Sequence, residues 1–266
     1  PFFPQQEYHC GPASLASIIS YRGTPVEPDQ IVKLIYVPEL KGSLQVEVVA
    51  AARQFELLPV QLDGTLESLL REIAAGNPIF VLQNLGLDLV PVWHYEVVVG
   101  YDFDERIMIM RSVTKPRVYR SFALFEKTWQ RAGHWALAIV RADSIPQTAD
   151  ANAYLDAVVG LEQVGKIDTA FNGYDTALRR WPENLLAHIG RGNSAYAKGE
   201  YAIAESAYRD ALQIDPQKAE AWNNLAYALA QLGRHEASLD AINRALTLDP
   251  DNQNFKDSYH ELANWQ

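Results

Sequence analysis

Two side chains far apart in the sequence could act together in covalent chemistry: Cys10, the only cysteine of the chain, and His94. A thiol attacks well only as its thiolate, and an imidazole is suited to taking that proton and later giving it to a leaving group. The oxyanion formed by attack on a carbonyl needs preorganised donors. The backbone N–H of Cys10 is one, and a glutamine amide just upstream, from Gln5 or Gln6, is a second. This combination describes hydrolysis by a thiol. The competing reading of a lone cysteine is a packing residue. One cysteine cannot form an internal disulfide, so it says nothing about redox compartment. His9, His134, His188, His235 and His260 show no metal-ligand spacing, so no metal or other cofactor is expected.

The surrounding pattern supplies elements that could position such a pair. Leu15, Ala16, Ile18 and Ile19 mark a helix beginning near Cys10, whose N-terminus favours a thiolate. Further helices are predicted over 44–55 and 65–75, the second capped by Thr65. Strands are predicted over 78–82, 94–101, 107–112 and 135–140, with 102–106 as a hairpin turn. The polar stretch Ala142–Asp150, which contains Pro146, reads as a linker.

Pro4-Gln5-Gln6-Glu7-Tyr8-His9-Cys10-Gly11-Pro12-Ala13-Ser14-Leu15 resembles the active-site helix of cysteine peptidase family 39, the bacteriocin-leader peptidases. Trp93-His94-Tyr95-Glu96-Val97-Val98-Val99-Gly100 resembles the strand that carries that family's histidine. The resemblance implies an α+β, papain-like peptidase head over residues 1–143. It also implies Cys10 as nucleophile, His94 as its base and Gln5 as the oxyanion donor, with Gln6 as the alternative. The family orients its histidine with an Asp-Pro pair further along the chain, and the matching stretch here is Ile109-Met110-Arg111-Ser112-Val113. The carboxylate is therefore expected to be missing, and Ser112 is expected to orient the ring, with Thr114 as an alternative. Asp102 lies beyond the far end of His94's strand, whereas Gln83 and Asn84 end the strand before it.

The second half is periodic. Pro182, Pro216 and Pro250 recur every 34 residues, as do Gly165, Gly199 and Gly233, Ala177, Ala211 and Ala245, and Tyr174, Tyr208 and Ile242. This resembles the tetratricopeptide family and implies an all-α superhelix over 150–266, built of three hairpins and a closing helix near 254–265. Glycine ends the first helix of each hairpin, alanine marks close helix packing, and proline is expected in the first turn of the next repeat. His188 and Arg191 depart from the pattern, standing where an aromatic residue and a Leu are usual. First helices line the concave side in this family, so Asn193, Asn223 and Asn224 are expected to hold a peptide or protein partner.

The net charge of −10 argues against nucleic-acid binding. Residues 1–143 carry 13 Lys+Arg against 16 Asp+Glu and the rest carry 10 against 17, so the repeats are the more acidic part. No apolar run is long enough to cross a membrane. Pro1-Phe2-Phe3-Pro4 shows no signal peptide and lies too close to the first motif for a natural start. The compartment thus stays open between an exported form, anchored or periplasmic, and a cytoplasmic one. Two functions follow: a thiol peptidase whose repeats recruit its peptide or protein substrate, or a catalytically impaired adaptor that binds partners through both parts. No Gly-x-x-x-x-Gly-Lys motif is present, so a transporter ATPase is not on this chain.

Overall fold

A computed structural model describes residues 1–4, 9–112 and 115–265. They form two compact units, Pro1–Gly160 and Leu161–Gln266.

The first unit is built on a six-stranded sheet of β1 (Leu57–Gln61), β2 (Ile79–Asn84), β3 (Trp93–Asp102), β4 (Ile107–Ser112), β5 (Lys115–Ser121) and β6 (Ala136–Arg141). The spatial order is β1-β6-β2-β3-β4-β5, and every pairing is antiparallel. Alternation along β3 separates two cores, because successive side chains point to opposite faces. Tyr95 and Val97 join Leu15, Ile18 and Ile19 of α1 (Cys10–Tyr21), Ile31 of α2 (Pro28–Ile35) and Val48 of α3 (Gln45–Gln54). Val98 joins Met108, Met110, Leu69 of α4 (Leu66–Ala74) and Trp129 of α5 (Phe122–Gln130) on the other face. The sheet is therefore covered on both faces and can hold buried polar groups between its strands and helices.

Four of these elements have no counterpart in the sequence reading: α2, β1, β5 and α5. The two strands lie at the sheet's edges, where patterning is weakest. β1 carries Pro59, which is tolerated on an edge strand, and β5 is mostly exposed. Thr65 does cap α4, accepting the N–H of Ser68 at 3.2 Å.

The second unit contains α7 (Ile167–Arg180), α8 (Leu185–Ala197), α9 (Tyr201–Ile214), α10 (Ala219–Gln231), α11 (His235–Leu248) and α12 (Gln253–Ala263). The fold thus matches the expected α+β region followed by tetratricopeptide helices. Gly165, Gly199 and Gly233 adopt φ of +76°, +77° and +73°, as the turn within each hairpin requires. The proline column needs correcting. Pro182 and Pro216 lie in the turns before α8 and α10, not in their first turns. Their carbonyls bind the residue six positions on: Trp222 Nε1 donates to Pro216 at 2.9 Å, and His188 Nε2 meets the Pro182 carbonyl at 2.8 Å. His188 thus makes the same turn-closing bond from the position where an aromatic is usual.

The division between the units falls later than the 143/150 boundary read from the sequence, inside α6 (Ala151–Gln163). The reason is local. The buried side chain of Glu72 accepts the N–H and hydroxyl of Thr148 at 2.6 and 2.7 Å, and Asn77 Nδ2 at 2.7 Å. Tyr154 donates to the Ala142 carbonyl at 2.8 Å. The predicted linker is therefore strapped to the first unit. Replacing Glu72 by Ala should cost roughly 2–4 kcal/mol of local stability, since hydrogen bonds to a carboxylate are among the stronger ones. Limited proteolysis with mass mapping should then show new cleavage between Ser144 and Ala149, and unchanged resistance would mean the strap is held by other contacts.

Candidate active site

Helix α1 begins at Cys10, and residues Gly11 to Ile19 are all buried, so the helix runs through the centre of the first unit. Its start is pinned at close range. A Cβ on Gly11 would lie 2.9 Å from Ser43 Oγ and 3.3 Å from the Tyr95 ring, so only glycine fits there without displacement. Ser14 Oγ donates to the Tyr95 carbonyl at 3.3 Å, and Tyr95 donates its hydroxyl to the Ser43 carbonyl at 3.2 Å. These bonds hold the first turn of α1 against the start of β3, where His94 sits.

The thiol of Cys10 lies beside the imidazole of His94, close enough for each group to shift the ionisation of the other. On its other side, His94 Nε2 lies 3.0 Å from Ser112 Oγ on β4 and 3.5 Å from Glu96 Oε1, two residues along its own strand. With Nε2 turned to these oxygens, Nδ1 is the nitrogen left to face the thiol. Glu96 is completely buried and is clasped by Arg120 of β5, whose Nη1 and Nη2 reach its two oxygens at 3.0 and 3.4 Å. Arg120 also donates to Gln83 Oε1 from β2.

The charges follow from this packing. Burial pushes the Cys10 thiol up, but the hydrogen bond and positive charge of His94, with the backbone amides of Tyr95 and Gly11, outweigh it and leave the thiol below its ordinary value. Burial alone would push His94 down. Its bonds to Cys10 and Glu96, and their negative charges, raise it instead to about 9. Burial raises Glu96, yet His94, Arg120 and Ser112 together hold its carboxyl below the usual range. The two shifts run in opposite directions, and each favours the charged form of its group.

Of the residues predicted for this site, Cys10, His94 and Ser112 are brought together, while Gln5, Gln6 and Thr114 lie outside the described residues. Asp102 is engaged elsewhere, accepting the N–H groups of Asp104 and Glu105 at 3.0 Å each in its own turn. Asn84 Oδ1 accepts the N–H groups of Gly86 and Val92 and so orders the β2–β3 hairpin. The position matching the family's Asp holds Ser112, and a carboxylate from another position, Glu96, lies near the ring. Its signal was present in the i, i+2 spacing from His94, which puts both side chains on one face of a strand. Arg120 had no such signal, because β5 was not predicted.

In the second unit, Asn193, Tyr196, Tyr208, Asn224 and Tyr227 line a groove of about 380 Å³. Asn193 Oδ1 accepts from Tyr208 Oη at 2.9 Å and from Asn224 Nδ2 at 3.0 Å, so the donor side of the Asn193 amide is not used in this network. Asn223 is not among the lining residues; its Nδ2 donates to Asn224 Oδ1 at 3.2 Å.

Residues 1–137 match the peptidase C39-like family, over half of the chain. The chain belongs to this family. Residues 155–219 and 190–253 match the tetratricopeptide repeat. Among curated proteins, the chain is 30% identical over 95 residues to the TPR repeat-containing thioredoxin TTL4 of Arabidopsis thaliana, covering 36% of this chain and 14% of that protein. It is 30% identical over 125 residues to the DnaJ homolog subfamily C member 7 homolog of Schizosaccharomyces pombe, covering 42% of this chain and 26% of that protein. The chain thus spans about a quarter or less of these relatives. Among solved structures, the Arabidopsis OM64 TPR domain is similar at 20% identity and a TM-score of 0.41, over 42% of this chain and 93% of that one. The second TPR domain of human RPAP3, solved with an HSP70 peptide, gives 20% identity and a TM-score of 0.42, over 43% and 95%.

Alkylation of Cys10 by iodoacetamide, followed against pH, should show a midpoint below the free-thiol value of about 8.5. His94→Ala should move that midpoint upward, since burial then acts on the thiol without its counter-charge. A midpoint at or above the free-thiol value in the wild type would exclude the ion pair.

Proposed function

We propose that the first unit hydrolyses peptide bonds through Cys10 and His94, and that the repeats capture the peptide or protein substrate. The observation that carries this reading is the placement of Cys10 at the start of α1 beside His94, whose Nε2 lies 3.0 Å from Ser112 Oγ. A thiolate at the N-terminus of α1 attacks the scissile carbonyl and breaks its π bond, placing the charge on the carbonyl oxygen. The backbone N–H of Cys10 and, following the family resemblance, the side chain of Gln5 donate to that oxyanion. The imidazolium gives its proton to the departing amine, leaving a thioester on Cys10. Neutral His94 then takes a proton from water, whose oxygen attacks the thioester; collapse releases the acid and restores the thiolate–imidazolium pair.

This chemistry sets a pH window. Below the lowered value of the thiol the nucleophile is protonated, and above about 9 His94 no longer holds the proton needed by the leaving group. The kcat/KM profile should therefore be bell-shaped, with its alkaline limb near pH 9, as two coupled groups would give.

The groove reading rests on Asn193 and Asn224, whose shared network leaves amide donors for a peptide carbonyl. A captured chain gains effective concentration at a site on the same polypeptide.

A peptide library offered to the full chain should yield cleavage that Cys10→Ala abolishes. Loss of cleavage in Cys10→Ala with an unchanged melting temperature supports the reading, and an inert wild type would favour the adaptor alternative. The double variant Asn193→Ala, Asn224→Ala should raise KM for a long substrate about tenfold, the loss of two ordinary hydrogen bonds, with kcat and short-peptide turnover unchanged.

A further inference from the structure

We propose that Glu96, acting together with Ser112, takes the place of the family's histidine-orienting Asp, with Arg120 as the counter-charge that holds Glu96 in position. The inference rests on the reading of Cys10 and His94 as nucleophile and base, and concerns what keeps the imidazole oriented and charged.

The geometry divides one carboxylate's task between two side chains. Ser112 stands at the position matching the family's Asp, and its Oγ lies 3.0 Å from His94 Nε2. Ser112 also lies close enough to Glu96 to favour its charged form. A hydroxyl can accept and donate at once. Nε2–H can donate to Ser112 Oγ, which leaves the hydroxyl hydrogen free to turn toward the Glu96 carboxylate. The hydroxyl fixes the plane and tautomer of the ring, but it carries no charge to stabilise an imidazolium. Glu96 brings that charge to 3.5 Å from Nε2.

A fully buried carboxylate is costly unless its lone pairs and charge are matched. Arg120 meets both oxygens in a two-pronged clasp, a geometry available to guanidinium and not to ammonium. Gln83 Oε1 takes a further Arg120 N–H, so the arginine is itself oriented. Among the described residues, the groups gathered on His94 and Glu96 are thus Cys10 from α1, Gln83 from β2, Ser112 from β4 and Arg120 from β5. Cys10 and Glu96 flank the imidazole, and Arg120 balances the charge of Glu96. The carboxylate has in effect moved from the neighbouring strand to the histidine's own strand. On β3 the i, i+2 spacing holds it on the same face.

A merely structural Glu96–Arg120 pair would change the melting temperature and leave the titration of Cys10 alone. The test therefore reads titration in the full chain and needs no substrate. Iodoacetamide alkylation of Cys10 against pH is measured for wild type, Glu96→Gln, Ser112→Ala and the double variant Glu96→Gln, Ser112→Asp. Glu96→Gln should raise the midpoint by about one pH unit or more, the usual effect of a charge at this range, and Ser112→Ala by less than half of that. The double variant should return toward wild type, because it restores a carboxylate at the family's position. A folded Glu96→Gln protein with the wild-type midpoint overturns the proposal, as does a Ser112→Ala shift larger than that of Glu96→Gln. Should Glu96→Gln fail to fold, the imidazole resonances of wild-type His94 decide: the proposal expects a protonated ring at pH 8, and titration near the ordinary 6.5 overturns it. An inert wild type with the expected midpoints would remove the peptidase reading and leave this one standing.

Discussion

His94 has to keep a proton in a place where burial works against keeping it. A desolvated imidazolium is stable only beside negative charge, and the arrangement of the first unit follows from that requirement. Cys10, the nucleophile of the proposed reaction, supplies one such charge when ionised. Glu96 supplies the other, and it brings the same difficulty one step further in, since it too is fully buried. Arg120, with its stem among the strands and its head on Glu96, ends the sequence of buried charges. Each buried charge depends on a neighbour, so the four groups form one dependent set rather than independent residues.

The sheet makes that chain possible. Five strands carry apolar residues to the two cores, and the polar side chains converge near one end of β2, β3 and β4. Gln83 is directly opposite His94 in the β2–β3 register. The register shift in the β4–β5 pair falls between Met110 and Ser112, next to the hydroxyl that contacts His94. Irregularities of this kind re-aim a side chain without disturbing the rest of the ladder. Helix α1 completes the site from outside the sheet, and the tight approach at Gly11 sets how closely the thiol is presented.

The repeats obey a different constraint, that of a stack in which each hairpin is buried by its neighbour. Ala177, Ala211 and Ala245 are fully buried where helices meet, and the glycine column takes the positive φ of each turn. The His188 bond to Pro182 shows how the pattern tolerates a substitution: the turn needs a ring N–H donor or its equivalent, not a tryptophan as such. The two units are joined through α6, whose first turns belong with the peptidase-like unit.

The sequence by itself determined the two architectures, the Cys10–His94 pairing and the helix N-terminus that carries the thiol. These are written in short-range patterns: a motif around one residue, alternation along buried strands and a 34-residue period. It also contained Glu96, whose spacing from His94 is sufficient to place it, although the resemblance directed attention to the neighbouring strand. Two of the elements it did not reveal are edge strands without the alternation that marks a half-buried strand: β1 is buried at all but its last residue and is interrupted by Pro59, and β5 is mostly exposed. Only the tertiary structure decided that Arg120 meets Glu96, that Ser112 and Glu96 both approach the His94 ring, and that Thr148 is strapped to Glu72. Those contacts join residues far apart in the chain, and their strength depends on shared burial, which no local spacing encodes.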